Sequence, residues 1–317
     1  MEMKVFGAVQ ILIGIILISC VEQEQQIWDL QFENDLVPEG IAIDPESGTL
    51  FLNSLNHSKI VKSNLDGSKP SEFIESDQYG YLPGFGMTIK GDELYALGNT
   101  LPNENNRSIL LKIDKRTGNL IKSYELNDTT FIYLNDLAIS SSNDIYITDS
   151  NSNRLYWISE QNDSITVFMQ SEEINHCNGI AISPNDKYLY VSSYVTGIRV
   201  IDLNTRQVVN EPNDYTGNDG MKYFKNSLIG ILNAHRNDSL NGIFRYQLTD
   251  NGQDVVDKEL ILPYQDGFDV PTTFDIIGDD MYFVINTQLD NFDQQTNEIS
   301  DSDKLTTLRL MKKNLNN

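Results

Sequence analysis

The chain has 317 residues and a formal net charge of −23, and its acidic residues are spread along the whole length. This length exceeds that of a typical single domain, but closed all-β architectures often reach it as one unit. A strongly acidic surface repels polyanions, so the charge argues against nucleic-acid binding.

The first nineteen residues have the pattern of an export signal. Lys4 precedes an apolar stretch, 5–18, which is too short for a stable transmembrane span. The stretch ends at Ser19-Cys20, which resembles the bacterial lipobox. That resemblance implies that Cys20 is acylated and becomes the mature N-terminus. The alternative is an ordinary signal peptide with an incidental cysteine.

From this pattern we expect a signal peptide at 1–19, a lipid-anchored tether at 20–26 and a folded domain at 27–317. The protein is then a monomeric lipoprotein of a bacterial cell envelope, facing the periplasm or the cell surface. Its contact with the membrane is the lipid on Cys20.

A short pattern recurs six times along the predicted domain. A polar or aromatic residue is followed, in most copies, by Gly and then by an apolar–x–apolar run. The copies are Glu39-Gly40-Ile41-Ala42-Ile43, Phe85-Gly86-Met87-Thr88-Ile89, Asn135-Asp136-Leu137-Ala138-Ile139, Asn178-Gly179-Ile180-Ala181-Ile182, Asp219-Gly220-Met221-Lys222-Tyr223 and Thr272-Thr273-Phe274-Asp275-Ile276. Their second residues are separated by 46, 50, 43, 41 and 53 positions, a period typical of repeat architectures.

Each copy opens a unit with the signature of antiparallel strands. A turn rich in Asn, Asp, Gly or Ser leads to a strongly β run, and alternating third and fourth runs follow. The second runs are 49–52, 93–97, 144–147, 188–191, 227–231 and 281–285; the third runs are clearest at 154–158 and 197–201, and a fourth is seen at 164–168. Six such units predict an all-β fold, a six-bladed β-propeller of four-stranded antiparallel blades. A β-solenoid fits less well, because its turns are shorter and more regular.

The run 27–32 precedes the first unit and has no blade of its own. The sixth unit ends in its third strand, at 306–311. We therefore expect 27–32 to be the outer strand of blade six and to close the ring.

One equivalent position carries polar side chains in most units. The residue just before each inner strand is Glu39, Phe85, Asn135, Asn178, Asp219 or Thr272. In a propeller these positions converge on the axis, where carboxylate and amide oxygens suit Ca²⁺ or Mg²⁺ and can also hold Zn²⁺ or Mn²⁺. The other interpretation is that Asn and Asp are there as turn residues. Glu39 does not fit that interpretation, since Glu is not favoured in tight turns.

These motifs, in this order across 35–290, resemble the family of senescence marker protein, regucalcin and gluconolactonase. The resemblance implies a six-bladed propeller with one divalent cation on its axis, for which we expect Ca²⁺ first. It implies that Glu39, Asn178 and Asp219 bind the metal and that Asp219 is the general base. It also implies that Asn135 contacts metal-bound water or substrate.

The chain departs from the family at three places. Ile41 stands where Pro often follows Glu-Gly, and Tyr133 and Leu137 stand where sugar lactonases carry Arg and Gly. Gluconolactone is therefore not the expected substrate. The run 178–191 is also similar, more distantly, to paraoxonases, but their disulfide and paired histidines have no clear counterparts. We expect Cys177 to pack as a small buried residue and His235 to be peripheral.

The expected activity is that of a divalent-metal-dependent hydrolase acting on a small-molecule lactone or ester. The cation polarises the carbonyl, and water activated by the metal or by Asp219 attacks it while Asn135 orients the water or the substrate. Tyr81, Phe85 and His176 are candidate substrate contacts, with ordinary loop packing as the other interpretation. The alternative function is a non-catalytic ligand- or protein-binding propeller with at most a structural metal. The run 146–155 supports it, because it resembles NHL-type blades.

Overall fold

A computed structural model describes residues 25–101, 106–127, 130–234 and 238–316. The predicted signal peptide, Cys20 and His235 lie outside these residues, so the lipid anchor and the peripheral position of His235 stay predictions. Within the described ranges, no helix is long and apolar enough to cross a membrane.

Alternating apolar residues and frequent turn residues produce short strands throughout the chain. The first strand, β1 (Gln26–Asp29), precedes five consecutive four-stranded antiparallel blades. Blade one contains β2 (Ile41–Ile43), β3 (Thr49–Asn53), β4 (Ile60–Asn64) and β5 (Ser71–Ile74); blade two contains β6 (Gly84–Lys90), β7 (Glu93–Asn99), β8 (Arg107–Asp114) and β9 (Leu120–Asn127). Blade three contains β10 (Leu134–Ile139), β11 (Ile145–Asp149), β12 (Arg154–Ile158) and β13 (Ile165–Gln170).

Blades four and five repeat the same meander. Blade four contains β14 (Cys177–Ile182), β15 (Tyr188–Ser193), β16 (Gly197–Asp202) and a short β17 (Gln207–Val208). Blade five contains β18 (Asn218–Phe224), β19 (Ser227–Leu232), β20 (Gly242–Leu248) and β21 (Val255–Pro263). In every blade the first strand is the innermost, as the periodicity predicts.

Blade six closes the ring with both ends of the chain. It is ordered β22 (Phe274–Ile277), β23 (Asp280–Val284), β26 (Arg309–Asn314) and then β1. Trp28 of β1 is paired with Leu310 of β26, and the Leu30 amide donates to the Leu308 carbonyl at 2.8 Å. The predicted closing strand is confirmed, although it begins at Gln26, one residue inside the predicted tether, and is shorter than expected.

One element has no counterpart in the other blades. Between β23 and β26 the chain forms a two-stranded hairpin of β24 (Phe292–Asp293) and β25 (Glu298–Ile299). Across the described residues the helical elements are five single 3₁₀ turns. They are η1 (Gln78–Gly80), η2 (Glu172–Ile174), η3 (Asp238–Leu240), η4 (Leu289–Asn291) and η5 (Ser302–Lys304). The six-bladed all-β propeller predicted from the repeat is confirmed.

The core lies between blades. Among the described residues there are six clusters of buried apolar side chains, and five of them each join one pair of neighbouring blades. The sixth joins blades two and three and also includes Val37 and Leu55 of blade one and Phe292 of the blade-six hairpin. In one example, Leu50 and Leu52 of blade one pack with Tyr282 and Leu310 of blade six. A single blade cannot bury both faces of its sheet, so this burial holds the blades in a ring and places the inner strands around the axis.

Candidate metal centre on the propeller axis

Three of the four candidate axial residues lie at irregularities in the innermost strands, whereas Glu39 lies just before β2, whose pairing with β3 is regular. The pairing of β10 with β11, of β14 with β15 and of β18 with β19 each shifts register at one point. Those points contain Asn135, Asn178 and Asp219, and β6 has the same shift at Phe85. A bulge re-aims the side chain that it carries, so the same bulge in four blades directs four side chains to the axis.

Glycine after the site residue lets neighbouring inner strands come very close. A Cβ on Gly40 would lie 2.1 Å from the Phe85 carbonyl oxygen, and a Cβ on Gly179 would lie 2.2 Å from that of Asp219. No side chain fits at such distances. Glycine is therefore required at this position of the motif, because it allows each site residue to lie next to its neighbour from the following blade.

Polar side chains of the second strands, and of the segment just before β22, hold the backbone around the site residues. Asn53 Oδ1 accepts from the Gly40 amide at 2.8 Å, and Thr148 Oγ1 accepts from the Asp136 amide at 3.0 Å. The Glu39 carbonyl accepts from the hydroxyls of Thr272 and Thr273, at 2.9 and 2.6 Å. Backbone groups freed by a bulge need such partners when they are buried. The site is thus built on a fixed scaffold.

Four buried oxygens of the site have no hydrogen-bond partner. They are Glu39 Oε2, Asn135 Oδ1, Asn178 Oδ1 and Asp219 Oδ1, one from each of blades one, three, four and five. All four residues are at most 7% exposed. An unpartnered buried polar atom costs about 1–3 kcal/mol, and more when it is charged. Four such atoms in equivalent positions are the arrangement that a bound cation would satisfy.

The charges of the site also call for a cation. Burial raises the pKa of Glu39 well above its usual value, and the nearby carboxylates of Asp219 and Asp136 raise it further. Burial likewise raises the pKa of Asp219, while the amides of Asn233 and Asn178 oppose the shift. Two buried carboxylates that repel each other are stabilised by a positive charge between them.

A second layer of charge surrounds Asp136, the residue after Asn135. Burial raises the pKa of Asp136, and the Lys222 ammonium opposes the shift. Asp275 has the same pattern, with burial raising its pKa and Lys222 opposing. Lys222 therefore offsets the charge of Asp136 and Asp275. Among the described residues, no cationic side chain lowers the pKa of Glu39 or Asp219 in the same way.

The donor set fits a hard divalent cation through its amides as well as its carboxylates. Within the described part of the chain, no group of three or more His, Cys, Asp and Glu side chains could hold a metal. The axial set has only two carboxylates, Glu39 and Asp219, and depends on the oxygens of Asn135 and Asn178. Carboxylate and amide oxygens are ligands that Ca²⁺ accepts.

Two residues of the site were missed by sequence reasoning. Asn233 Nδ2 donates to Asp219 Oδ2 at 2.7 Å and to the Pro271 carbonyl at 3.0 Å. Asn178 Nδ2 lies 3.0 Å from the Tyr194 hydroxyl. Asn233 follows β19, and Tyr194 follows β15, so both stand where a second strand returns to the face that carries the site residues. Their shared position directly after a second strand is the sequence feature that could have identified both residues.

The hairpin of blade six also contributes to this face. The Tyr133 hydroxyl lies 2.7 Å from Gln294 Oε1, and Phe292 is buried in the cluster that contains Phe85. The ring of Tyr133 packs edge-on against Phe85, with centroids 4.7 Å apart. Burial raises the pKa of Tyr133, and the carboxylates of Glu39 and Asp219 add to the shift. Tyr133, at the position of the family's arginine, is therefore close to the axial carboxylates.

The three candidate substrate contacts occupy different settings. Tyr81 and Phe85 are each 1% exposed, and the Tyr81 hydroxyl donates to the Leu97 carbonyl at 3.0 Å. His176 is half-buried, and its Nδ1 lies 2.9 Å from the Ser150 carbonyl oxygen. Contact of these residues with substrate stays a prediction. Cys177 is a buried free cysteine, which agrees with its predicted packing role.

Comparisons with known proteins place the fold in a wide group. No protein-family model matches the sequence, and no curated protein matches it. A gluconolactonase from Xanthomonas campestris is 12% identical, with a TM-score of 0.60 over 91% of this chain and 90% of that chain. A luciferin-regenerating enzyme is 14% identical, with a TM-score of 0.61 over 91% and 95%. A virginiamycin B lyase from Staphylococcus aureus is 18% identical, with a TM-score of 0.57 over 82% and 81%.

These neighbours agree with the family that the motifs resemble, since gluconolactonase and luciferin-regenerating enzyme are among them. At such low identities the likeness shows a shared propeller fold. The virginiamycin B lyase shares the fold but is named for a different type of reaction. The reaction of this protein therefore has to be argued from the residues of its site.

Proposed function

We propose that the protein is a divalent-metal-dependent hydrolase of the lactonase or esterase type. The observation that carries this proposal is the set of four unpartnered buried oxygens, from Glu39, Asn135, Asn178 and Asp219, on the axis. The shared fold with gluconolactonases supports it. The substrate class is a small lactone or ester.

Glu39, Asn178 and Asp219 would hold the cation, with Asn135 beside them, and Ca²⁺ is the ion that this donor set favours. When bound, the cation would supply Lewis-acid polarisation of the ester carbonyl. A sugar lactone is not the favoured substrate, because Tyr133 occupies the position of the sugar-binding arginine and its hydroxyl is engaged with Gln294.

Asp219 is the candidate general base. Its Oδ2 is held by Asn233 at 2.7 Å, whereas its Oδ1 has no hydrogen-bond partner and can accept a proton from the attacking water. Burial raises the pKa of this carboxyl in the cation-free site, and a bound cation would lower it again, so that the carboxylate form is the one present at neutral pH. Asn135 Oδ1, also unpartnered, can accept from the same water and orient it.

Calcium titration by calorimetry tests the site. The Glu39→Gln variant keeps the shape of the side chain but removes one of two buried charges, so we expect calcium affinity to fall by about 10²-fold or more. The matched control is Glu125→Gln, which changes a carboxylate in the outer strand β9 that forms an ion pair with Arg107. Equal calcium affinity in wild type and Glu39→Gln would contradict the proposed centre.

A second measurement separates an enzyme from a binding module. The wild-type protein is stripped with a chelator, reloaded with calcium and assayed against a panel of lactones and aryl esters. Hydrolysis should disappear and return with the cation. Calcium binding without turnover of any compound would instead indicate a binding propeller with a structural metal.

A further inference from the structure

Tyr194 is held at the edge of the axial centre by its backbone and its hydroxyl. It directly follows β15 of blade four, and its amide donates to the His176 carbonyl at 3.1 Å. Its hydroxyl accepts a hydrogen bond from Asn178 Nδ2 at 3.0 Å. The residue is 37% exposed, and its hydroxyl is within hydrogen-bond distance of a candidate cation ligand.

The bond between Asn178 and Tyr194 orients both groups. An amide has one oxygen and one nitrogen, so directing Nδ2 to Tyr194 leaves Oδ1, which is unpartnered, for the axis. A phenol that accepts a hydrogen bond still has its own hydrogen to donate. Within the described ranges, Asn178 is the hydrogen-bond partner of the Tyr194 hydroxyl, and no acceptor takes that hydrogen.

The other tyrosine hydroxyls near the axis are already engaged. That of Tyr133 donates to Gln294 Oε1 at 2.7 Å, and that of Tyr81 donates to the Leu97 carbonyl at 3.0 Å. Tyr194 therefore differs from its neighbours, because its hydroxyl has a donor hydrogen beside a candidate cation ligand and finds no acceptor among the residues that the structure describes.

We propose that Tyr194 is a catalytic residue that donates a hydrogen bond to the substrate's carbonyl oxygen as negative charge develops there. This role rests on the proposed hydrolase function. The water oxygen bonds to the carbonyl carbon, the water proton passes to Asp219, and the carbonyl π pair moves onto the oxygen that Tyr194 contacts. When that pair returns, the bond from the carbonyl carbon to the leaving oxygen breaks, and Asp219 returns the proton to the leaving oxygen. Tyr194 keeps its proton throughout.

The test compares Tyr194→Phe with wild type on an aryl ester and an alkyl lactone. Removing one oxyanion donor costs about 10²–10³ in kcat, so we expect a loss near the lower figure, because the cation shares the stabilisation. KM should change little. The loss should be similar for the two substrates, since the hydrogen bond is to the carbonyl oxygen and not to the leaving group.

Two further readouts do not depend on turnover. Phenylphosphonate is a mimic of the oxyanion. In excess calcium it should bind Tyr194→Phe about tenfold more weakly than wild type, which corresponds to a loss of about 1.4 kcal/mol of binding free energy. Calcium affinity should stay within about threefold of wild type, which is a smaller change than the tenfold that corresponds to about 1.4 kcal/mol. The control is Tyr223→Phe, a half-buried tyrosine at the far end of β18 whose ring stacks on Tyr190.

The outcomes are distinguishable. Active wild type with an equally active Tyr194→Phe overturns the role of Tyr194 and leaves the hydrolase standing. A loss that grows with the basicity of the leaving group shows a general acid, and a loss of calcium binding shows a residue that only positions Asn178; either result overturns the proposal. A wild-type protein that hydrolyses nothing overturns both the hydrolase and the role of Tyr194.

Discussion

The Tyr133 hydroxyl of blade three and Gln294 Oε1 of the blade-six hairpin lie 2.7 Å apart. Blades three and six are opposite each other in a six-bladed ring, so this bond joins the two sides of the face that carries the axial centre. The buried ring of Phe292, which packs with Val37 and Phe85, supports the same contact. The hairpin therefore contacts blades one to three as well as its own blade.

Tyr133→Phe should loosen the hairpin without unfolding the propeller. Losing this one bond costs about 1 kcal/mol, and it leaves Phe292 in place. We expect faster hydrogen exchange at the amides of 292–299 and an unchanged exchange rate in β10 and β11. The matched control is Tyr79→Phe, which removes a hydroxyl bonded to the Gly118 carbonyl at 3.2 Å. Hairpin exchange that is equal in the two variants would contradict the bridging role.

Gly179→Ala should disturb the axial centre directly. The added Cβ would lie 2.2 Å from the Asp219 carbonyl oxygen, so blades four and five have to separate. Overpacking of this kind costs about 1–3 kcal/mol, and calcium affinity should fall with it because Asn178 and Asp219 move apart. Gly98→Ala is the graded control, since its Cβ would be 3.0 Å from the nearest atom, the Leu82 carbonyl oxygen. Thermal denaturation and calcium titration of both variants measure the effect.

The calcium-free protein should lose stability as the pH rises. Glu39 and Asp219 have folded-state pKa values above those of the unfolded chain, that of Asp219 at about 7. The folded state then binds more protons, so the stabilisation present below about pH 4 is lost as the pH rises through the folded-state pKa values. In a chelator, the melting temperature should fall between pH 5 and about pH 8, and calcium should restore it at the upper end.

The Asp219→Asn variant checks the cause of that pH dependence. Without calcium at pH 8 it should melt at a higher temperature than wild type, because one of the two buried charges is gone, and calcium should no longer raise its melting temperature. Asp257→Asn, at an exposed position in β21, should behave as wild type. A calcium-free melting temperature that does not respond to Asp219→Asn would show that the axial carboxylates do not set the pH dependence.

Much of the fold follows from local pattern. The alternation of apolar residues and the period of the Gly-containing motif predict the strands, the number of blades and the closing strand. The same period predicts that Glu39, Asn135, Asn178 and Asp219 stand at equivalent positions around one axis. These properties depend on short-range strand and turn preferences repeated at a fixed spacing, which one sequence displays directly.

The hairpin and Tyr194 could not be found in this way. The segment between β23 and β26 has no equivalent in the other units, so no repeat indicates where it packs, and its contacts with Val37, Phe85 and Tyr133 join residues far apart in the chain. Tyr194 shares with Asn233 a position directly after a second strand, but its hydrogen bond with Asn178 depends on the direction in which one amide points.

A six-bladed propeller with four oxygen-bearing residues at equivalent positions is predictable from the amino-acid sequence alone, because a repeated local pattern defines equivalent positions without any knowledge of distant contacts. The lack of hydrogen-bond partners for these four oxygens, and the contact of the blade-six hairpin with blade three, are visible in the folded structure alone. Whether an atom is satisfied or orphaned depends on every group packed around it, and those groups come from all parts of the chain.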